Sequence, residues 1–255
     1  MIKTLYSVAG FDPSGGAGVL LDLAVFRSLG FRGAAVLTAL TAQDSASVFA
    51  VRPVPPAFIR RQWDALRADL PPAGIKIGMA GSPAGLAEIA RGLALHPSIP
   101  RVVDPILRAT SGALLAGRIS RARFTAALSG RLTLLTPNLA EASWLTGHPV
   151  ATPEAMEEAA RSLAEDWSCA CLIKGGHLPG AAIDVLFDGS RVRRFPHPRL
   201  NRNAHGTGCF LSASILAHLA LGRELAEACA EAICETGRAI RRSVRPGRGR
   251  SLLAP

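Results

Sequence analysis

The sequence predicts a doubly wound α/β fold with a mostly parallel central sheet, and three observations predict it. Short β-branched or Leu-rich runs alternate with longer stretches of helical period along most of the chain. Hydrophobic residues make up 49% of the 255 residues and aromatics only 5%, so Ala, Leu, Val and Ile must build the core, as suits helices packed on a parallel sheet. Polar or glycine-rich strings follow several of the apolar runs, where such a sheet gathers its ligands.

The elements follow in order. Strands are expected near Leu5–Ala9, Ala34–Ala39, Gly74–Gly78, Val102–Asp104, Leu132–Thr136 and Cys169–Lys174, each a short apolar run. An antiparallel ribbon, Ala182–Phe187 and Arg191–Phe195, turns at Asp188-Gly189-Ser190, a string with the right chemistry for a tight hairpin. Helices are expected at Ala17–Leu29, Ala57–Asp69, Pro83–Leu93, Ala140–Leu145, Pro153–Asp166, Thr207–Leu221 and Leu225–Ser243. Strand then helix, repeated, requires right-handed crossovers between parallel strands. The length fits one domain over residues 1–244, followed by a basic tail of Pro, Gly and Arg over residues 245–255.

Composition narrows the function. No apolar run has the length of a bilayer crossing, and Met1–Gly10 reads as a first strand rather than a signal peptide, so a cytoplasmic protein is expected. The cysteines (169, 171, 209, 229 and 234) are odd in number and match no zinc spacing, which argues against a disulfide framework or metal finger. Net charge is +10, with Arg238, Arg241, Arg242, Arg245, Arg248 and Arg250 crowding the C-terminal end. No helix-turn-helix, zinc-finger or aromatic stacking pattern accompanies that charge, so no nucleic-acid partner is expected; a basic surface equally suits a polyanionic small molecule.

The chemistry sits in the strings after the strands. Gly10-Phe11-Asp12-Pro13-Ser14-Gly15-Gly16-Ala17-Gly18 lets backbone approach a ligand, though an ordinary glycine turn fits as well; it is not a Walker A loop. His205-Gly206-Thr207-Gly208-Cys209 opens a helix whose first amides lack intrahelical partners and, with the dipole, form a socket for an anion. Cys209 lies in that first turn, where the field is expected to lower its thiol pKa and make it a base or nucleophile; a buried structural cysteine is the other reading. Lys174, before Gly175-Gly176-His177, either reaches a phosphate as a point charge or decorates a turn. Asn138 and Glu141 share one helix face, suited to Mg²⁺ held through water or to simple capping. Asp104 adds a carboxylate at another strand end.

These strings occur in the order of one family. With Thr38-Ala39-Leu40-Thr41-Ala42-Gln43, Lys76-Ile77-Gly78-Met79, Val103-Asp104-Pro105 and Ser111-Gly112, the chain from Val8 to about Gly222 resembles the bacterial hydroxymethylpyrimidine/phosphomethylpyrimidine kinases of thiamine biosynthesis, of the ribokinase-like superfamily. The resemblance implies a three-layer α/β/α sandwich, a homodimer, and transfer of the ATP γ-phosphoryl group to a hydroxymethyl oxygen, then to the resulting monophosphate. It further implies that Gly206, Thr207, Gly208 and Cys209 form the anion hole and that Cys209 acts as the base. Asn138, Glu141 and Asp104 would organise Mg²⁺, Lys174 would meet ATP, and Gly10, Asp22, Gln43 and Met79, with Cys209, would meet the pyrimidine. A Gln amide can pair with an aminopyrimidine edge, and a Met sulfur can pack on a flat ring.

The chain departs from the family at Asp44 and Ala46-Ser47-Val48, at Leu20-Leu21 before Asp22, and at Ile106-Leu107-Arg108, and it ends sooner than many relatives. Those differences bear on the acceptor and leave the ATP machinery intact. Pyridoxal, another hydroxymethyl heterocycle, is therefore the alternative acceptor, with Gln43 favouring an aminopyrimidine. A ligand-binding relative without catalysis is the third reading, opposed by the full set of phosphate-handling residues.

Overall fold

The computed structural model describes residues 2–106, 119–176, 178, 182–200, 202 and 204–255. Ser111, Gly112, Leu107, Arg108 and His177, which the sequence analysis singled out, lie outside the described residues.

The chain runs β1 (Thr4–Phe11), α1 (Gly18–Ser28), β2 (Arg32–Gln43), β3 (Val48–Pro53), α2 (Pro56–Asp69), β4 (Pro72–Ile77), α3 (Pro83–Ala94) and β5 (Arg101–Val103). It continues α4 (Arg121–Leu128), β6 (Leu134–Leu135), α5 (Leu139–Thr146), α6 (Pro153–Trp167), β7 (Ala170–Ile173), β8 (Ala182–Phe187), β9 (Val192–His197), β10 (Ala204–His205), α7 (Thr207–Ala220), α8 (Leu225–Arg242) and β11 (Ser251–Leu252). The main sheet has nine strands in the order β3-β2-β1-β4-β5-β6-β7-β8-β9. Strands β2 to β7 in that order pair in parallel, whereas β3, β8 and β9 join antiparallel at the two edges.

Side-chain alternation along the strands makes the three layers. Tyr6, Val8, Ile75, Val103, Leu135 and Ile173 point into one core, closed by α2 to α6 with Trp63 and Trp167 wholly buried. Their neighbours Leu5, Val102, Leu134 and Leu172 point the other way, into a second core closed by α1, α7 and α8. Both faces of the sheet are thereby apolar, as parallel strands require. Helix starts are locally fixed: Ser82 caps α3 by accepting from Gly85 N–H at 2.9 Å, and Thr152 caps α6 by accepting from Ala155 N–H at 3.2 Å, each followed by Pro at the first helical position.

The expected strands and helices form with shifts of a few residues at their ends. Four elements were not expected: β3, α4, β10 and β11. The last overturns the ragged tail. Ser251 and Leu252 pair in parallel with Ala204 and His205, Leu252 N–H bonds back to the Val244 carbonyl at 2.7 Å, and Leu253 is buried in the second core. Gly249 and Arg250 donate to the Ser45 side chain and carbonyl at 3.2 and 2.9 Å. The terminus is a strap across one end of the sheet. Among the described residues no helix is long and apolar enough to cross a membrane.

Candidate active site

Every parallel strand that carries a predicted site residue ends on the same rim, so topology alone gathers them. The rim opens into a cleft of about 1410 Å³ bounded by β1, β2 and β4–β7 on one side and by α7, α8 and β9 on the other. That is larger than the ~300–1,000 Å³ typical of a site for one small ligand, and leaves room for a nucleotide and an acceptor together.

The anion socket is built by Gly206. It adopts a left-handed backbone (φ 81°) as the N-cap of α7, which has no side-chain cap, so its leading amides are left for a ligand. A side chain at Gly206 would collide with the Gly16 carbonyl, because the β1–α1 loop packs directly on it. Lys174 Nζ and Asp104 Oδ2 lie 3.1 and 3.3 Å from where a Cβ on Gly208 would stand, which places a cation and a carboxylate at the mouth of the socket.

Lys174 is held there by Asp104 Oδ1 at 2.6 Å and faces Glu141 Oε2 at 4.0 Å. Burial works against the ammonium charge, but Asp104 and Glu141 outweigh it and raise the lysine pKa. The loop behind is pinned from β8: Asp184 accepts from Gly175 N–H at 2.8 Å. His197 on β9 lies 3.4 Å from the same Asp184 oxygen, and that contact raises its pKa.

Asn138 and Glu141 form a full capping box, Glu141 Oε2 accepting from Asn138 N–H at 2.8 Å and Asn138 Oδ1 from Glu141 N–H at 2.9 Å. Capping and ligand contact coexist, since both residues also line the cleft. Among the described residues no three His, Cys, Asp or Glu side chains are grouped to enclose a metal ion. Two buried carboxylates beside Lys174 instead suit a Mg²⁺ carried mainly by phosphate oxygens and waters.

Cys209 corrects the sequence expectation. Its thiol pKa is pushed up to about 11, not down. Burial is the main cause, and Asp104 and Asp22 add to it, outweighing Lys76 and the Gly18 N–H. Cys209 still lines the cleft at the socket floor.

Gly10, Gln43 and Met79 line the same cleft. Met79 is almost fully buried, and its methyl packs so closely on Gly10 that any side chain there would displace it. Asp22 does not join them. It is wholly buried, paired with Lys76 at 2.9 Å and accepting from Ser7 Oγ at 2.5 Å, and the cleft is not lined by it. Burial opposes the Lys76 charge, yet Asp22, with Cys209 and Asp104, holds its pKa above the ordinary value. Asp22 thus supports the floor through Lys76.

Sequence reasoning did not single out Asp12 and His205 as site residues. Both line the cleft, with His205 Nε2 and Asp12 Oδ2 3.1 Å apart. Both stand inside strings already singled out, so the signal was there without a partner to reveal it. Asp184 and Arg250 carried no local signal, one lying in a strand and the other in a run of arginines.

The phosphomethylpyrimidine kinase family model matches residues 12–254. A hydroxymethylpyrimidine/phosphomethylpyrimidine kinase of Rhizobium meliloti is 43% identical over 91% of this chain and 88% of its own length. A thiamine biosynthesis bifunctional protein of Geobacter sulfurreducens is 42% identical over 96% of this chain, which spans about half (51%) of that protein. Among solved structures, a phosphomethylpyrimidine kinase from Clostridium difficile superposes with TM-score 0.83 at 34% identity, covering 94% of this chain and all of the other. A pyridoxal kinase from Staphylococcus aureus, in complex with AMP-PCP, superposes with TM-score 0.89 at 27% identity, covering 99% and 93%.

Proposed function

The chain belongs to the phosphomethylpyrimidine kinase family, and we propose that it moves the γ-phosphoryl group of ATP to the hydroxymethyl oxygen of 4-amino-5-hydroxymethyl-2-methylpyrimidine, and then a second one to that monophosphate, in thiamine biosynthesis. One observation carries the reading: the uncapped α7 N-terminus, Lys174 and Asp104 meet at one point of a cleft that Gly10, Gln43 and Met79 also line. One cleft offers both a phosphate socket and room for a flat ring.

In the transfer, the acceptor oxygen bonds to the γ-phosphorus as the bond from phosphorus to the bridging oxygen breaks, and ADP leaves. The α7 amides and Lys174 neutralise charge on the moving group, which is most of what this reaction asks of a protein. Lys174 is kept charged for that task by Asp104 and Glu141. Mg²⁺, when bound beside Asp104, Asn138 and Glu141, supplies further neutralisation of the triphosphate. Cys209, in its minor thiolate form, is the group that would take the hydroxyl proton as the transferring oxygen commits to phosphorus.

A homodimer fits the exposed apolar surface on the β2–β3 edge, where Leu40 is 47% and Phe49 71% exposed. Five free cysteines fit a reducing compartment such as the cytoplasm.

The test is turnover of the alcohol, its monophosphate and pyridoxal, each with ATP and Mg²⁺. The aminopyrimidine and its monophosphate are expected to be the preferred acceptors. Activity on pyridoxal alone, which the likeness to the Staphylococcus aureus enzyme makes the second reading, would reassign the acceptor, and ligand binding without turnover would remove the enzyme.

A further inference from the structure

The cleft lining contains a chain of hydrogen bonds that ends on Gln43. Asp12 Oδ1 accepts from the Ser14 amide at 2.8 Å and the Ser14 hydroxyl at 2.7 Å. Its Oδ2 faces His205 Nε2 at 3.1 Å. The Gln43 side chain stands close enough to this carboxylate to act as a donor that lowers its pKa. The backbones on either side are fixed: Thr41 Oγ1 donates to the Phe11 carbonyl at 2.9 Å, and the strap holds Ser45 through the Arg250 amide at 2.9 Å.

An ionised carboxylate accepts hydrogen bonds and donates none. Burial alone would favour protonated Asp12, but His205, Gln43 and Ser14 together keep its pKa below the ordinary value. His205 must therefore carry its proton on Nε2, and its buried Nδ1 finds no partner among the described residues. Gln43 must likewise turn its NH₂ toward Asp12. The amide loses its freedom to flip, and its carbonyl oxygen is left for the cleft.

Resting on the functional reading above, we infer that Asp12 and His205 are positioning residues that lock the Gln43 amide, so the acceptor must present a hydrogen-bond donor to Gln43 Oε1. An exocyclic amine beside a ring nitrogen satisfies the locked amide. A carbonyl at the same ring position meets oxygen with oxygen. The discrimination is thus set by a carboxylate that never touches the acceptor, and its sign follows from the amide's orientation.

The experiment compares kcat/KM for the aminopyrimidine alcohol and for its 4-oxo counterpart, which reverses donor and acceptor along that edge. The wild type is expected to prefer the amine by about 100-fold or more, as sites built around a specific hydrogen bond do. His205→Leu and Asp12→Ala should each cut that preference by about tenfold or more, chiefly by raising KM for the amine, with KM for ATP moving less than about twofold. His205→Gln, which can return a donor near the Nε2 position, should restore the preference to within about threefold of wild type. Should Asp12→Ala not fold, the two His205 variants decide the matter alone. Variants that keep the wild-type preference, or lower both acceptors in proportion, overturn the lock. A wild type that uses both acceptors equally does so while leaving the kinase reading intact. A wild type silent toward every pyrimidine defeats the functional reading first, and the lock with it.

Discussion

Cys209 shows how a single side chain departs from the rule its position suggests. A thiol in the first turn of a helix stands in a field that favours the thiolate, but full burial and the nearby Asp104 and Asp22 carboxylates favour the thiol more. With a pKa of about 11, the thiolate is on the order of 10⁻³–10⁻⁴ of the population near neutral pH. If Cys209 takes the hydroxyl proton, kcat should rise with pH beyond 8 without levelling before about 11. Cys209→Ala should lower kcat by about 10²–10⁴, the usual range for a positioned base, and flatten the profile. Rapid-quench turnover across that range is the measurement. A flat wild-type profile would leave Cys209 contributing only its main-chain N–H.

Elements differ in how much of themselves they write into nearby sequence. The long helices were legible because period and punctuation agree: α3 and α6 begin at Ser82-Pro83 and Thr152-Pro153, and α5 begins at an Asn-x-x-Glu capping box. Helix α4 was not, since only Phe124 and Leu128 of its eight residues are buried and no apolar stripe results. Strand β3 is an exposed edge whose largest side chain, Phe49, faces outward, so the alternation that marks a half-buried strand is missing. Its turn was legible only as a departure from a family pattern, although Asp44 accepts from the Ala46 and Ser47 amides at 2.8 Å and shapes it. Strands β10 and β11 owe their pairing to residues more than forty positions apart, which no window reads. The strap can be tested on its own. A side chain at Gly249 would strike the Ser45 and Ala46 backbone, which cannot retreat without moving the turn after Gln43. Gly249→Val should cost about 1–3 kcal/mol, as other overpacked sites do. It should also raise KM for the acceptor more than for ATP, whereas Ser45→Ala, losing one 3.2 Å bond, should cost no more than about 1 kcal/mol. Thermal melts paired with KM measurements for both substrates would show it; an unchanged acceptor KM would separate the strap from the site.

The whole molecule was legible where one rule governs many residues. Parallel pairing buries both sheet faces, gathers the strand C-termini on one rim, and so fixed where Gly10, Asp104, Asn138 and Lys174 must meet before any contact was known. What stayed hidden depends on burial, a property of the assembled body: the direction of the Cys209 shift, and the withdrawal of Asp22 from the cleft. Burial also has a collective consequence at high pH. Cys209 is raised to about 11, and Cys169 and Cys229 to about 12, burial being the main cause in each. Cys171, wholly buried, is raised as well. In the unfolded chain these thiols ionise near the ordinary value of about 8.5. Above that pH the unfolded state has released protons that the native state still holds, so stability falls as pH rises. Lys76 acts in the same direction, because its paired native form keeps a proton that the unfolded chain gives up first. The stability is therefore complete below about pH 8.5 and is lost towards 11 and beyond; Cys209 alone accounts for about 2–3 kcal/mol by pH 11. In reducing buffer the melting temperature should hold steady from pH 7 to about 8.5 and then drop progressively. Cys229→Ala, which removes one such thiol from the second core, should flatten the drop while lowering the neutral-pH value slightly. A melting temperature that stays level to pH 11 would mean that water reaches these thiols in the folded protein, and that the core behind the socket is not closed.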